Sequence, residues 1–312
     1  MKAIRIHKYG GPEVLQYEDA LRPKVAGPTE VLIRVHAAGV NPIDWKIRSG
    51  YLKDLFPVKF PLILGWEVSG RVEEVGRDAT TFKEVDDVFA MADPTRDGGY
   101  AEYIVVNQAF VAVKPKSVDH VHGAAAPLAA LTAWKSLFET AQVKPGQRVL
   151  VHGGSGGVGH FAVQLAKWKG AHVLATASTR NQQFLRDIGV DEPIDYTKQE
   201  FVEIARDVDV VLDTIGGETQ ERSWGVLKKG GILVSLVQPP SEDKARSHRV
   251  RGAMVNTPPN GAALAEIGRL IDSGKIKVTV DRILPLSEAR SAHELSQSGH
   301  VRGKIVLRVM EE

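Results

Sequence analysis

Apolar and polar residues alternate along short stretches in the first third of the chain. In one stretch, Val31, Ile33 and Val35 fall on the same face, a pattern typical of a strand with one buried side. Pairs such as Gly98-Gly99 separate the stretches and mark turns. Short strands with frequent turns predict a β-rich domain of the barrel or sandwich type. The predicted strands cover residues 2–7, 30–37, 67–75, 85–90 and 101–107.

Helices enter the pattern near residue 119. A helical stretch over residues 121–140 contains Pro127, which suits the first turn of a second helix. Beyond residue 146, apolar stretches alternate with amphipathic ones, in one of which Val158, Phe161 and Leu165 share a stripe. This alternation predicts a parallel, doubly wound sheet. Its strands are predicted over residues 148–152, 172–177, 208–213 and 232–236, with a short one around Ile194.

The last part of the chain returns to the earlier pattern. From Asn260 onward it predicts a helix, a strand over residues 279–284, a helix from Ser287 and a final strand over residues 304–309. This tail resembles the first third more than the middle. Before it, residues 238–251 contain two prolines and several charges, which predict a mobile loop.

Composition sets the broad class of protein. A length of 312 residues gives about two domains at roughly 150 residues each. The net charge of +2 argues against a nucleic-acid or anionic-membrane surface. The absence of cysteine excludes disulfides, thiolate zinc sites, iron–sulfur clusters and a cysteine nucleophile. Without an apolar leader or a run of about 20 apolar residues, we expect a soluble, cytoplasmic protein.

A glycine-rich turn over residues 153–159 follows the first strand of the alternating region and opens a helix. Within it, Gly154, Gly156 and Gly159 match the spacing G-x-G-x-x-G. The first glycine permits a tight turn, the second lets the backbone approach a pyrophosphate, and the third lets the helix pack close to the strand. The N–H groups and the dipole at the helix start favour negative phosphates. In this context the turn predicts a dinucleotide site.

The same turn also fits a different function. Residues 153–157 match G-x-S-x-G, the nucleophile elbow of serine hydrolases, with Ser155 as the nucleophile. Asp213 and a later histidine, His248 or His293, follow in the order that such enzymes use. Against this alternative, Ser155 follows the first strand of the alternating series, and the last glycine of the turn has no role in an elbow.

The nicotinamide cofactor is selected about 20 residues beyond the turn, at the end of the next strand. An acid there would bind the ribose 2′-hydroxyl of NAD, but no acid occurs between Gly159 and Asp187. The strand is followed instead by Ser178, Thr179 and Arg180. Small hydroxyls and a guanidinium suit a 2′-phosphate. A solvated surface charge is an alternative explanation of Arg180, so the missing acid is the stronger evidence, and the sequence favours NADPH.

No metal site is predicted. The ten histidines include no H-E-x-x-H, and without cysteine a zinc site would need histidines and carboxylates from separate segments. Residues 41–51 are rich in polar and aromatic groups just after an apolar strand. They are predicted either as an exposed loop and helix start or as a wall of the active site.

Together these motifs resemble the medium-chain dehydrogenases/reductases, in the zinc-independent branch of quinone oxidoreductases and enone reductases that includes the zeta-crystallin-like proteins. The matching segments are spread over nearly the whole chain. They are residues 38–44 (AGVNPID), 98–103 (GGYAEY), 126–134 (APLAALTAW), the glycine turn, residues 213–217 (DTIGG) and residues 303–307 (GKIVL).

The resemblance implies an α/β fold in which a Rossmann domain, with a doubly wound parallel sheet, is inserted into a GroES-like β-rich catalytic domain. The implied GroES-like domain covers residues 1–121 and 263–312, and the NADPH-binding Rossmann domain covers residues 122–262. The cofactor would lie in the cleft between the domains. Because relatives are commonly dimers, we also expect a homodimer.

The resemblance further implies which residues contact the cofactor, grouped by the part of the cofactor that they face. They are Asn41 and Thr132 for the nicotinamide and its ribose; Gly156, Gly157 and Val158, with the adjoining Gly154, Ser155 and Gly159, for the pyrophosphate; Ser178, Arg180 and Tyr196 for the 2′-phosphate; Leu236, Val237 and Gln238, with Asn256 and Thr257, for the nicotinamide side; and Arg302, Gly303 and Lys304 closing over the cofactor.

Two departures from metal-using relatives bear on the chemistry. Zinc-using alcohol dehydrogenases of the superfamily bind the catalytic metal through a cysteine where this chain has Asn41. They also use the histidine of a Gly-His-Glu motif, which here reads Gly65-Trp66-Glu67. The lobe that holds a structural zinc with four cysteines is absent. Without a Lewis acid to stabilise an alkoxide, we expect NADPH-dependent reduction of a quinone or an α,β-unsaturated carbonyl instead of alcohol oxidation.

In such a reduction, the protein needs to provide little acid–base catalysis. Hydride transfer leaves an enolate or a phenolate, and these are weaker bases than an alkoxide, so water or one modest donor suffices. Asp44, Lys46 and Tyr51 are the candidates for orienting or protonating the substrate. An alternative is an NADPH-binding redox sensor or structural protein with little turnover, because cofactor binding alone would retain the same motifs.

Overall fold

The computed structural model describes residues 1–311, and these form two compact units. Unit 1 comprises Met1–Leu131, Pro258–Gly274 and the chain from Val278 onward, and unit 2 comprises Thr132–Thr257 and Lys275–Lys277. One unit is therefore assembled from separate stretches of chain, with the other between them. The chain passes between the units near residues 131 and 258, where the resemblance implied residues 121 and 263. The difference at the first boundary arises because the helix that follows residue 119 packs on strands of unit 1.

Unit 1 begins as a run of short strands with few helices. Its elements are β1 (Lys2–Ile6), β2 (Gln16–Asp19), β3 (Glu30–Val40), α1 (Pro42–Arg48), β4 (Leu62–Ile63), β5 (Glu67–Val75), β6 (Asp87–Met91), β7 (Tyr103–Asn107), β8 (Val111–Val113), α2 (His120–Ala124) and α3 (Pro127–Trp134), the last of which contains the boundary between the units.

Strand β3 organises the larger sheet of unit 1. Its inward residues Val31, Ile33 and Val35 are fully buried, as the alternating pattern predicts. On one edge, β3 pairs antiparallel with β5 along most of its length. On the other edge, the start of β3 pairs with β7, and its end, from Ala37 to Val40, pairs with a strand from the last part of the chain.

Unit 2 alternates strands and helices. Its elements are β9 (Arg148–Val151), α4 (Gly159–Trp168), β10 (His172–Ala177), α5 (Gln182–Asp187), β11 (Glu192–Asp195), α6 (Phe201–Ile204), β12 (Val208–Asp213), α7 (Gly217–Ser223), β13 (Leu227–Ser235), α8 (Glu242–His248) and β14 (Arg251–Met254), after a π-helical turn over Lys135–Thr140. The strands are all parallel and lie in the order β11-β10-β9-β12-β13-β14. This is the strand order of a Rossmann fold.

The prediction of a mobile loop over residues 238–251 is wrong, because half of that segment forms α8 and its last residue begins β14. Ser241 caps the helix by accepting a hydrogen bond from the Lys244 N–H. Glu242 and Asp243 lie in the first turn, and Arg246 pairs with Asp243 one turn later. The charges that predicted a loop are therefore the end charges and side-chain pairs of a short surface helix.

The tail returns to unit 1 as α9 (Gly261–Asp272), β15 (Val280–Pro285), α10 (Ala289–Gln297) and β16 (Lys304–Arg308). Strand β16 pairs antiparallel with the end of β3, with Ile305 opposite Val40. Ile305 and Leu307 belong to the same apolar core as Ile33 and Val35. The expected GroES-like and Rossmann architecture is confirmed, and none of the helices in residues 1–311 is both long and apolar enough to span a membrane.

Candidate functional site

The carboxyl ends of β9 and β12 mark the point in unit 2 where the strand order reverses. In open parallel sheets, ligands bind at such a point. The glycine-rich turn follows β9, and residues 213–217 follow β12. Two segments that the sequence singled out separately therefore lie at neighbouring strand ends.

The glycines of the turn are required by its packing and leave space in front of it. A Cβ at Gly159 would overlap the carbonyl oxygen of Gly153, and one at Gly154 would lie 2.7 Å from the Ala175 Cβ. At Gly156, by contrast, only the Gly153 oxygen lies nearby, at 3.3 Å, and the remaining space is open. Gly154 and Gly159 thus fix the helix against the sheet, while Gly156 leaves room for a ligand.

The turn also presents N–H groups that the protein does not use. Gly154 donates to the Thr176 carbonyl oxygen and Gly156 donates to the Gly153 carbonyl oxygen, both at 2.9 Å. Within residues 1–311, the N–H groups of Gly157 and Val158 have no such partner. Because they stand at the start of the ten-residue helix α4, they suit an anionic ligand. The turn therefore fits the pyrophosphate of a dinucleotide.

His152, a buried residue directly before the glycine-rich turn, stabilises the turn through hydrogen bonds that the sequence did not predict. His152 Nε2 lies 2.9 Å from Ser223 Oγ, which donates its own proton to the Thr219 carbonyl oxygen. His152 Nε2 therefore carries the ring proton, and Nδ1 accepts from the Thr176 hydroxyl. That same hydroxyl oxygen accepts the Gly153 N–H. Burial lowers the pKa of His152 to about 4, so the ring stays neutral.

The end of β10, where the cofactor ribose is expected, contains hydroxyls and one guanidinium. Thr179 and Arg180 are exposed and Ser178 is half-buried, and the Tyr196 ring is 55% exposed. An acid, Asp195, stands at the end of the neighbouring strand β11, and Thr179 donates to it at 2.6 Å. Thr197 also donates to Asp195 through its N–H and its hydroxyl.

Asp213 is the second buried polar group at the switch point. Its carboxylate accepts the N–H groups of Ile215 and Gly216 on one oxygen, and the side chains of Gln220 and Ser235 on the other. These bonds shape the segment after β13 as well, where half-buried Leu236, Val237 and Gln238 follow Ser235.

The hydrogen bonds of Asp213 do not support the serine-hydrolase alternative, because its carboxylate accepts from Ile215, Gly216, Gln220 and Ser235 and, in the described part of the chain, not from a histidine. His248 is an exposed residue of α8 whose Nδ1 lies 3.0 Å from the Lys244 carbonyl oxygen. His293 belongs to unit 1 and accepts a hydrogen bond from Arg48. Among residues 1–311, Ser155 and Asp213 do not form a triad with either histidine.

Unit 1 contains a buried polar cluster of five residues: Asn41, Asp44, Glu67, Tyr100 and Lys304. None is more than 3% exposed. Asn41 precedes α1 and its backbone N–H donates to Asp44 Oδ2 at 2.8 Å, while the Tyr100 hydroxyl donates to the same oxygen at 2.6 Å. Asp44 Oδ1 has no partner.

The environment of Asp44 favours its protonated form at acidic pH, up to about pH 7. Burial is the main cause, and it raises the pKa of the carboxyl to about 7 although the hydrogen bonds from Tyr100 and Asn41 act in the opposite direction. The positive charge of Lys304 also lowers this pKa, and the negative charge of Glu67 raises it. Because Oδ2 accepts both hydrogen bonds, the proton belongs on Oδ1.

The other half of the cluster is a buried ion pair. Lys304 Nζ lies 2.6 Å from Glu67 Oε1 and donates to the Val40 carbonyl oxygen at 3.0 Å and to Asn41 Oδ1. The Asn41 Nδ2 group donates to Glu67 Oε1 at 2.7 Å. Asn41 and Lys304, expected to contact the cofactor, therefore have their side chains turned to each other inside unit 1.

The remaining candidates differ in exposure. Lys46 is half-buried, which lowers the pKa of its ammonium, and its Nζ lies 5.7 Å from the centre of the Trp45 ring. Tyr51 is 76% exposed. In the described part of the chain, neither side chain bonds to Asp44. Other expected contacts are Thr132, which is buried; Arg302 and Asn256, which are exposed; and Gly303 and Thr257, which are buried and half-buried.

Comparisons with known proteins agree with this architecture. The family described as "Alcohol dehydrogenase GroES-like domain" matches residues 27–116, and "Zinc-binding dehydrogenase" matches residues 188–307. The chain is 35% identical to "NAD(P)H oxidoreductase RTN4IP1, mitochondrial" of Danio rerio, covering 100% of this chain and 92% of that protein. It is also 35% identical to "NADPH-dependent alkenal/one oxidoreductase, chloroplastic" of Arabidopsis thaliana, covering 98% and 79%.

A solved structure gives the same result for the whole fold. The quinone oxidoreductase from Coxiella burnetii superposes with a TM-score of 0.92 at 37% identity, covering 99% of both chains. Identity at this level over the full length, together with the GroES-like and Rossmann units, shows the family. The chain belongs to the medium-chain dehydrogenase/reductase superfamily, among NAD(P)H-dependent oxidoreductases whose relatives include quinone oxidoreductases and enone reductases.

Proposed function

We propose that this protein transfers a hydride from NADPH to a quinone or an α,β-unsaturated carbonyl. The observation that carries the choice of cofactor is the end of β10, where Ser178, Thr179 and Arg180 stand in place of an acid. The carboxylate of Asp195, on the neighbouring strand β11, is already hydrogen-bonded to two threonines. A 2′-phosphate thus meets a guanidinium and hydroxyl groups instead of a free acid.

The chain's own residues bind and orient the cofactor, whose nicotinamide supplies the hydride. The N–H groups of Gly157 and Val158 bind the pyrophosphate, beside the open space at Gly156. Arg180, Ser178 and Tyr196 bind the 2′-phosphate. The segment over residues 236–238, shaped by the bonds around Asp213, orients the nicotinamide side.

The residues of unit 1 support a reaction without a catalytic zinc. The two positions that supply a cysteine and a histidine in zinc-using relatives are Asn41 and Trp66 here, and the Trp66 indole donates to the Arg96 carbonyl oxygen. Both polar atoms of the Asn41 side chain are engaged by Glu67 and Lys304. A second cation would have to displace the Lys304 ammonium, so this donor set does not fit a metal.

The product anion is protonated by solvent or by one modest donor. Asp44 is fully buried, and we assign it to holding the start of α1, through Asn41, in place. Lys46, which is half-buried, and Tyr51, which is exposed, are the more accessible candidates, and burial lowers the pKa of the Lys46 ammonium. Because enolates and phenolates are weak bases, we expect Lys46→Met and Tyr51→Phe each to lower kcat by less than about tenfold, below the usual range for a required general acid.

The homodimer and the cytoplasmic location remain predictions. Strand β14 is an outer strand of the sheet of unit 2, and its Met254 side chain is 47% exposed. Such an edge can pair with a second copy. Light scattering after size exclusion tests the dimer.

The decisive test of the reaction follows the hydride itself. NADPH deuterated at C4 is incubated with the protein and a panel of enones, and oxidation of unlabelled NADPH is followed with quinones. We expect turnover with members of the panel and one deuterium on the electron-poor carbon of the reduced enone. Absence of turnover with every acceptor, despite NADPH binding, would overturn the proposal and favour the sensor alternative.

The cofactor choice has its own test in Arg180→Ala. Charge-assisted hydrogen bonds contribute about 1.5–3 kcal/mol, so the KM for NADPH should rise about ten- to hundredfold while the KM for NADH stays unchanged. Arg186→Ala, which removes an exposed arginine of α5, is the matched control and should change neither value.

A further inference from the structure

The ion pair between Lys304 and Glu67 is unusual in its burial. In residues 1–311 it is the one ion pair in which both side chains are less than 5% exposed, at 3% and 0%. Buried ion pairs are costly to form and do not by themselves indicate stability. This pair therefore calls for a reason beyond stability.

All three protons of the Lys304 ammonium have acceptors. They are the Val40 carbonyl oxygen, Asn41 Oδ1 and Glu67 Oε1. Glu67 Oε2 in turn accepts the backbone N–H of Leu128 at 2.9 Å. The ammonium therefore contacts three oxygens, and each oxygen of the carboxylate has a protein partner.

The backbone around the pair is shaped to admit it. Gly39 lies in β3 directly before Val40, and a Cβ there would overlap Glu67 Oε1 and approach the Ala124 carbonyl oxygen to 2.6 Å. A glycine at this position gives the Glu67 carboxylate its room. The cluster is therefore built into the sheet.

The pair fixes the carboxamide of Asn41 in one orientation. Its oxygen faces the Lys304 ammonium and its NH₂ group faces the Glu67 carboxylate, so a flipped amide would meet like groups on both sides. The backbone N–H of Asn41 is held by Asp44. The start of α1 is thereby anchored through both the side chain and the backbone of one residue.

We propose that Lys304 is a positioning residue for hydride transfer: its ammonium orients Asn41 and Glu67 and so holds the start of α1, with Asp44 and Lys46, in its reactive arrangement. This inference rests on the proposed function, because it assigns Lys304 a role in the same reaction. The Lys304 side chain is 3% exposed and donates to Asn41, so it is assigned to act through Asn41.

The test compares three substitutions of Lys304 in the full-length protein. Lys304→Met keeps the length of the side chain without charge, Lys304→Arg keeps the charge, and Lys304→Ala opens a cavity beside Glu67. Lys24→Met, at an exposed lysine of unit 1, is the matched control. We expect Lys304→Met to lower kcat about ten- to hundredfold, as displaced reacting groups do. The KM for NADPH should stay within twofold, because the Lys304 side chain is turned to Asn41 and Glu67 and its substitution does not alter the glycine-rich turn. Lys304→Arg should recover part of kcat.

Chemical rescue separates a required ammonium from a general packing effect. Ethylammonium or propylammonium should restore kcat of Lys304→Ala severalfold and raise the thermal midpoint of the cofactor-free variant. Tetramethylammonium at equal concentration has no N–H donors and should do neither. The thermal midpoint of Lys304→Ala reports binding of the alkylammonium ion at this site independently of turnover.

Two outcomes of these measurements overturn the proposal. One is an unchanged kcat in folded Lys304→Met, and the other is rescue of Lys304→Ala by tetramethylammonium to the same extent as by ethylammonium or propylammonium. If Lys304→Met does not fold, the variant Glu67→Gln/Lys304→Met removes both charges together. We expect it to fold with a low kcat, and a kcat equal to that of the unsubstituted protein would show that Lys304 only balances Glu67. Failure of the unsubstituted protein to turn over any acceptor would instead refute the proposed function, while the thermal rescue still tests the ammonium site.

Discussion

The buried carboxyl of Asp44 makes the stability of the protein depend on pH in a direction opposite to that of most acids. Its pKa is about 7 in the folded protein and 3.8 in an unfolded chain. Between these values the folded state holds a proton that the unfolded state releases, so stability falls as the pH rises. At about 1.4 kcal/mol per unit of pKa, the loss from pH 4 to above pH 7 is about 4 kcal/mol. Asp44 is not exposed, so solvent screening does not reduce this value.

The substitution Asp44→Asn removes this dependence. An amide is neutral at every pH, and its oxygen can still accept from Asn41 and Tyr100. Thermal and urea unfolding are measured from pH 4.5 to pH 8 for both proteins. As the pH increases, the thermal midpoint of the variant should rise relative to that of the unsubstituted protein. The total change should be about 10 °C, because 1 kcal/mol of stability shifts the thermal midpoint by about 2–4 °C. Asp54→Asn, at an exposed aspartate of unit 1, is the control, and parallel pH profiles for Asp44→Asn and the unsubstituted protein would refute the reasoning.

Three further predictions concern packing, charge and capping. Lys304→Met should lower the free energy of unfolding by about 3–5 kcal/mol, because it leaves Glu67 buried without a counter-charge. Urea unfolding should show that Glu67→Gln/Lys304→Met recovers most of this free energy. An equal loss of stability in both variants would contradict the pairing. Gly159→Ala should cost about 1–3 kcal/mol through overpacking and abolish NADPH binding, whereas Gly156→Ala should weaken NADPH binding in a fluorescence titration with an unchanged thermal midpoint. Ser241→Ala should cost about 1 kcal/mol as a lost helix cap, and no change in urea unfolding would show that α8 does not depend on it.

The sequence predicted the architecture well because local patterns specify it. Apolar strands alternating with helices, and a glycine turn at the first of them, are features of short segments. The failure over residues 238–251 has the same origin: prolines and charges predict a loop, but Ser241 as a cap and paired charges along the segment stabilise a short helix.

The buried polar cluster could not be assembled from the sequence. Asn41, Glu67 and Lys304 were each noticed in separate motifs, but their contact depends on the register of β3 with β5 and β16. That register places Ala38 opposite Val68 and Ile305 opposite Val40, and register is a property of the folded sheet. The role of His152 was missed for a related reason, because its partners Thr176 and Ser223 lie on other elements.

Hydride transfer from NADPH to a quinone or an enone can be tested by measuring cofactor binding and turnover on one preparation of the protein. NADPH binding is titrated by cofactor fluorescence, and the rate of NADPH oxidation is then measured with quinones and enones at saturating cofactor, with NADH in parallel. We expect saturable binding, turnover with at least one of the two acceptor classes, and a higher kcat/KM for NADPH than for NADH. Tight NADPH binding without oxidation by any acceptor, or a clear preference for NADH, would contradict this expectation.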